Sequence, residues 1–369
     1  MISVRTIMKI LFINTIKLDK NGITTFILNN AKFLAQTNDV SILASNEVDS
    51  SIRNILVANN IKLIRVPYRK KKPLQYFQEL KQIIKNEKYD VVHVNGNSAT
   101  MSIELLAARL AGCNCRIAHA HNTVTDHAII HNLLYPIFDV SLTARMACSN
   151  AAGQWLYKGK SFYTINNGIN MSEYVPNLKA RNSIRDKYGI KESEILLGNI
   201  GFFNLQKNQE ALIPIIEQLD KKYKLLLIGD GILKEKIEKI VNDHHLSTRI
   251  FFSGNVDNVE DYLSAIDLFV MTSKFEGLPF ALVEAQASGL HCIVSDKVSK
   301  EADLTENVQF VSLNNDDDWI DTILNASKNY TFERRVSALN NVQRRITDKN
   351  YDAQKNAKYL ENIFKKLLE

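Results

Sequence analysis

Short apolar runs of strand length alternate with longer segments of helical period through most of the chain, and the series occurs twice. Strands joined through helices return in the same direction, so the pattern specifies parallel sheets with helices on their faces and excludes all-α and all-β architectures. In the first half the strand-like runs are Lys9–Asn14, Val40–Ala44, Lys62–Val66, Val91–Val94, Arg116–His121 and Ala144–Cys148, with helical segments such as Thr24–Ala35, Leu74–Asn86 and Ser98–Ala111 between them. A second series begins near Ile195 with Leu196–Ile200, Lys224–Ile228, Ile250–Phe252, Leu268–Met271, Cys292–Ser295 and Val308–Phe310. Asn167-Gly168, Tyr174 and Pro176 interrupt the pattern between them. The reading is α/β: two doubly wound domains, residues 1–172 and 173–349, followed by a terminal helix over 350–369. That helix carries Tyr351, Ala357, Leu360, Ile363, Phe364 and Leu367 on one side and has no strand of its own to cover, so it is expected to pack back on the first domain.

A chain of 369 residues with 45% apolar content supports two cores, since domains commonly run to roughly 150–200 residues. Its longest apolar runs fall far short of the ~20 residues that a membrane span needs. The N-terminus lacks the apolar stretch and cleavage site of a signal peptide, and Met8-Lys9-Ile10-Leu11 offers a second start, so a cytoplasmic protein is expected. Cys113, Cys115, Cys148 and Cys292 fit that compartment as plain buried thiols; Cys113-Asn114-Cys115 has no second pair at zinc-site spacing. Charge is divided unevenly: 20 basic and 10 acidic residues up to Asn170, against 26 and 30 beyond it. The basic half points to an anionic partner, whether nucleic acid, membrane headgroups or a phosphorylated substrate. No motif of the nucleic-acid-binding modules is present, so no nucleic-acid partner is expected.

Ligands of open α/β sheets bind beyond the carboxyl ends of the strands, and two such sheets facing each other would enclose a cleft suited to two substrates. The richest stretch runs from Ser273 to Gly289: a strand end, a turn at Gly277, then a helix opened by Pro279 and closed at Gly289. The backbone at Gly277, Leu278 and Phe280 would present N–H groups to a phosphate. Glu276 in the loop and Glu284 in the helix have seven residues between them and can face one ligand; on spacing alone, two solvated carboxylates are an equal reading. Gly22, after the first strand, suits close backbone approach to a phosphate or sugar, or a simple tight turn. His121 ends a strand, whereas His119 is assigned to the opposite face and, with His93, to structure. Gly229-Asp230-Gly231 lacks the spacing of a dinucleotide loop, and no cofactor is expected. Asp316-Asp317-Asp318 reads as helix capping, not as a metal site.

The Glu276 to Glu284 segment resembles the signature of the retaining glycosyltransferases of family 4, whose GT-B fold has two facing Rossmann-like domains. Asn21-Gly22-Ile23, Val91 to Asn95, Ala118 to Thr123, Ala147 to Ser149, Asn166 to Asn170, Gly201 to Asn208 and Gly229 to Gly231 match in order. Glu104 to Arg109, His121-Asn122 and Val283 to Gln286 are similar to bacterial capsular and exopolysaccharide enzymes. The resemblance implies an acceptor-binding first domain and a nucleotide-sugar-binding second one. It implies Glu284 on the donor ribose, Glu276 on the transferred sugar, Lys207 and the 277–280 backbone on the diphosphate, and His121 with Gly22 at the reaction centre. The chain departs from the family at Phe202, where an Arg usually follows Gly201. The implied activity is metal-independent transfer from a nucleotide sugar, expected to be a UDP-sugar, to a lipid-linked saccharide. The alternative is a silent, donor-binding partner of a second glycosyltransferase. The run Arg69, Lys70, Lys71 and Lys72, with Tyr68 and Tyr76 nearby, opens an amphipathic helix; it reads as a solvated loop or as a contact with the acceptor and an anionic membrane at its inner face.

Overall fold

The computed structural model describes residues 7–19, 21–45, 48–123, 125, 127–276, 278–328 and 330–369. It divides into two compact units: one up to Gly168 together with Asn350–Glu369, the other Ile169–Lys349.

The first unit runs β1 (Lys9–Asn14), α1 (Gly22–Leu34), β2 (Asp39–Ala44), α2 (Ser50–Ala58), β3 (Lys62–Arg65), α3 (Pro73–Glu87), β4 (Val91–Gly96), α4 (Ser102–Leu110), β5 (Cys115–Ala120), α5 (Ala128–Ser141), β6 (Ala144–Ala147), α6 (Asn150–Tyr157) and β7 (Tyr163–Thr164). The seven strands are parallel in the order β3-β2-β1-β4-β5-β6-β7. Starting in the middle and building outward both ways is what short right-handed crossovers permit. All four cysteines are free and buried.

The second unit runs α7 (Leu178–Lys187), β8 (Ile195–Ile200), α8 (Leu212–Gln218), β9 (Tyr223–Ile228), α9 (Lys234–Asp243), β10 (Ile250–Gly254), α10 (Val259–Ala265), β11 (Leu268–Met271), α11 (Phe280–Ala287), β12 (His291–Ser295), β13 (Val308–Val311), α12 (Asp316–Lys328) and α13 (Phe332–Asp348). Its six strands are parallel in the order β10-β9-β8-β11-β12-β13. Asp267, buried before β11, accepts from Arg181 at 2.7 Å, Arg185 at 3.0 Å and the Leu196 amide at 2.7 Å, which ties α7 to the middle of the sheet. The triple acid does not itself cap. Asp316–Asp318 form the first turn of α12, where the helix dipole favours acids, and the Asn315 side chain accepts from the Asp317 amide at 3.1 Å.

The last helix, α14 (Ala353–Leu368), lies on α1 within the first unit. Asn356 donates to the Asn166 carbonyl and Asn29 to that of Gly168, both at 2.9 Å, and a Cβ on Gly168 would stand 2.6 Å from Asn356 and 2.9 Å from the Ala353 amide. The chain is thus held in the first unit as far as Gly168.

Between the sheet and the pair α1 and α14 lies an aromatic cluster of His93, His119 and His121 with Phe12, Phe26 and Phe364. His119 does not point away from His121: their rings stack at 4.4 Å, because residues two apart on a strand share a face. His93 Nε2 and His119 Nδ1 are 3.0 Å apart. Burial drives His93 and His121 down to about 3 and His119 well below its ordinary value, so all three are neutral. An unfolded chain takes up these protons below about pH 6.5 and the folded one refuses them, so the cluster's stability is present above that pH and lost as pH falls. Urea unfolding is expected to show stability declining from about pH 7 to pH 5.5, with a shallower decline in His93→Phe.

Candidate active site

Loops at the carboxyl ends of β8, β9 and β11 form a single assembly in the second unit. The Gly201 amide donates to the Ile228 carbonyl and the Phe203 amide to that of Asp230, each at 2.9 Å. A Cβ on Gly229 would lie 2.2 Å from the Gly201 oxygen, and one on Gly231 2.6 Å from Phe203 backbone atoms; both glycines have positive φ, 133° and 154°. The two turns therefore meet backbone to backbone, which only glycine allows.

The loop after Gly201 is tied in turn to the loop after β11. Thr272 donates its hydroxyl to the Asn208 carbonyl at 2.8 Å, Lys274 its amide to Gln206 at 2.8 Å, and Gln206 its side chain to Phe275 at 3.1 Å. These ties bring together Lys207 and Glu276: Nζ stands 2.5 Å from Oε1, with side chains only 18% and 11% exposed. A cation and a carboxylate held at a strand edge can exchange each other for an anion and for hydroxyl groups. Sequence reasoning missed two neighbours there, Gln209 and Ser273, whose Oε1 and Oγ are buried without a partner. Nothing in their spacing marks them. Phe202, where the resemblance implies an Arg, is 55% exposed, and Leu205, Ile232 and Phe275 are exposed on the same loops.

Gly277 lies outside the described residues. Leu278 and Phe280 are half-buried, and Pro279 takes the cap position of α11 instead of its first turn, since the helix begins at Phe280. The cap supplies no side-chain hydrogen bond, so the first amides of α11 depend on another partner. Glu284, half-buried, accepts from Tyr174 Oη at 3.0 Å. Desolvation pushes its carboxyl up to about 7, aided by Glu260 and Glu173 and opposed by the Tyr174 hydrogen bond. Tyr174 served in the sequence only as punctuation; it is the partner of this carboxylate.

In the first unit, Gly22 is the exposed first residue of α1, and Asn21 caps that helix by accepting from the Thr24 amide at 3.0 Å. His121 Nε2 lies 2.9 Å from Asn95 Oδ1, an acceptor that fixes the proton on Nε2. The basic run is divided. Arg69 is drawn inside, donating to Glu104 at 2.6 and 3.1 Å and to the Thr100 carbonyl at 2.6 Å, and Tyr76 donates to the same buried carboxylate at 2.9 Å. Neither Arg69 nor Tyr76 therefore stands at the surface with the exposed Lys70, Lys71 and Lys72. A cavity of about 720 Å³ opens beside them at the carboxyl ends of β1, β2 and β3. Lys17, Arg65, Lys70 and Lys71 line it with Tyr68, and among the described residues no acid does.

With this geometry in place, comparison with known proteins decides the family. Residues 20–173 match the model described as Glycosyltransferase Family 4 and residues 180–345 that of Glycosyl transferases group 1. EpsF of Bacillus subtilis (strain 168), assigned as a glycosyltransferase, is 30% identical over 309 residues, 79% of each chain. The chain belongs to the family 4 glycosyltransferases. Another relative is the Escherichia coli UDP-Gal:alpha-D-GlcNAc-diphosphoundecaprenol alpha-1,3-galactosyltransferase, 29% identical over 272 residues, 68% of this chain and 67% of that one. Among solved structures, Anabaena HepE in complex with UDP and glucose superposes with a TM-score of 0.80 at 15% identity, covering 97% of this chain and 100% of that one. The fold of this glycosyltransferase is GT-B.

Removing the carboxylate that holds Arg69 leaves a buried, uncompensated cation. Glu104→Gln is expected to lower stability by about 3–5 kcal/mol, read by urea denaturation, with Arg69→Met partly restoring it in the double variant.

Proposed function

We propose that this glycosyltransferase moves a sugar, with retention of configuration, from a UDP-sugar to a lipid-diphosphate-linked saccharide in surface polysaccharide assembly, at the inner face of the membrane. The observation that carries the proposal is the Lys207–Glu276 ion pair, set at the carboxyl edge of the second unit just ahead of the helix that bears Glu284. A diphosphate displaces Glu276 from Lys207, and its charge is shared between Lys207 and the uncapped amides of α11. Glu276, released, accepts from hydroxyls of the sugar, and Glu284 from the ribose diol. No metal ion is invoked in this reading. The departing phosphate oxygen takes the proton of the acceptor hydroxyl, so no side chain is assigned as base. His121, neutral with its proton on Nε2, orients the reacting sugar beside Gly22.

The names of relatives support the substrates: the Escherichia coli galactosyltransferase uses UDP-Gal and a diphosphoundecaprenol acceptor, and HepE has been solved with UDP-glucose. A capsular polysaccharide biosynthesis glycosyltransferase of Staphylococcus aureus is 29% identical over 238 residues. The basic cavity of the first unit, lined by no acid among the described residues, suits the diphosphate of such an acceptor. Among the described residues no helix is long and apolar enough to cross a membrane, so contact with a lipid acceptor falls to the protein's surface.

Two measurements test this reading. Lys207→Ala is expected to cut UDP release by about 10²-fold, the scale of losing one charge contact made in the transition state. Wild-type protein that binds UDP yet stays idle with donor and lipid acceptor, and is awakened by a second chain, would overturn the enzymatic reading in favour of a silent partner. Because ribose hydroxyls favour the ionised carboxylate, UDP binding should draw the Glu284 proton off. Affinity should then rise by up to about ten-fold from pH 6 to pH 8. Calorimetry in buffers of different ionisation enthalpy reads the released proton, and Glu284→Gln should lose both the slope and the release.

A further inference from the structure

The helix α5 is built the wrong way round for a water-facing surface. Its inner side carries His131, Tyr135 and Phe138 against the first unit's core. Its outer side carries Ile129, Leu133, Ile137 and Val140 in one stripe with Ile130 alongside, and these are 86%, 75%, 41%, 62% and 48% exposed. A surface helix normally turns charged residues outward; this one has a single charge over 14 residues, Asp139. Arg145 and Lys160 both pair with that acid, so the helix presents no net negative charge.

The surroundings are cationic. Lys158 sits over the Tyr135 ring at 4.0 Å, and Arg109 donates to the Val140 carbonyl at 2.7 Å. The basic run is anchored to the same turn as α5: the Ala99 amide donates to His131 Nδ1 at 3.1 Å, and the neighbouring Thr100 carbonyl accepts from Arg69.

We infer that α5 is the element that enters the membrane: its outer face lies in the plane of an anionic bilayer, with Lys158 and Arg109 beside it on the headgroups. An apolar stripe bordered by cations is the surface that such an interface recognises. At ~1.5 Å per residue the helix is about 21 Å long, too short for the ~30 Å hydrocarbon core, so it lies along the bilayer instead of crossing it. A second copy of the chain is the weaker fit. One helix face of this length offers a few hundred Å², against the ~800 Å² per partner of a stable interface, and the flanking cations would face each other. The inference rests on the proposal of a lipid-linked acceptor only for its purpose; the surface itself is read from α5.

The test is sedimentation of the full chain with equimolar phosphatidylglycerol and phosphatidylethanolamine vesicles, with analytical ultracentrifugation in their absence. Leu133→Asp is expected to lower the vesicle-bound fraction at least about ten-fold, while Leu133→Met binds like wild type and circular dichroism shows both folded. Leu133→Trp should be quenched by brominated lipid. Wild type that does not pellet, or equal pelleting of wild type and Leu133→Asp, would overturn the inference. Binding lost only when Lys70, Lys71 and Lys72 are changed to Ser would also overturn it while leaving the membrane reading in place. A wild-type dimer that Leu133→Asp dissociates, with vesicle binding unchanged, would reassign the face to self-association. UDP affinity, measured on the same samples, stands apart from all these outcomes and reports on the donor site alone.

Discussion

A parallel strand can be followed by another only through a crossover that returns to the opposite end of the sheet, so every strand of a doubly wound unit ends at the same edge. Both candidate sites follow from that constraint. Gly22 opens the crossover after β1 and His121 follows β5, while the loops at Gly201, Gly229 and Glu276 follow β8, β9 and β11. Residues 75 positions apart in the chain, Glu276 and Gly201, become parts of one edge without any special device. What is special is the absence of side chains at Gly229 and Gly231, which lets neighbouring turns share backbone hydrogen bonds and sets the spacing of everything anchored on them.

The strand series and the place of the turns were legible because period and punctuation are local properties. The two-residue strand β7 was not, being too short to carry a period. The face of His119 was misjudged, although the alternation rule alone places residues 119 and 121 together. Arg69 shows a different limit. As letters, four consecutive cations are equivalent; in the fold one of them lies within reach of Glu104, a carboxylate with no exposure, and is drawn out of the run. Its partner is 35 residues away, and no local pattern announces it. The charge state of Glu284 was hidden for the same reason, since it depends on burial and on Tyr174, 110 positions earlier. Helix α5 was passed over because a stripe of apolar residues ordinarily marks the buried side; composition says that a helix has an apolar face, not which way the face turns.

The uneven charge of the chain also takes on a physical form. Part of the first unit's positive excess is spent inside, on Glu104, and part remains on loops beside an open cavity and beside α5. In the second unit the buried guanidinium groups of Arg181, Arg185 and Arg335 are absorbed by Asp267 and by backbone carbonyls. They are framework. Lys207 differs from them in being less deeply buried, as is its partner Glu276.

The position of α14 bears on how the molecule comes to be assembled. Phe364 lies 5.8 Å from the His93 ring, under the central strand β4, yet it is translated after the whole of the second unit. The unit that is synthesised first is therefore completed last. Until α14 arrives, the face of the sheet that bears the three histidines lacks one of the two helices whose aromatic rings pack on it, so during translation the second unit can reach its native state while the first waits as an open, aggregation-prone intermediate.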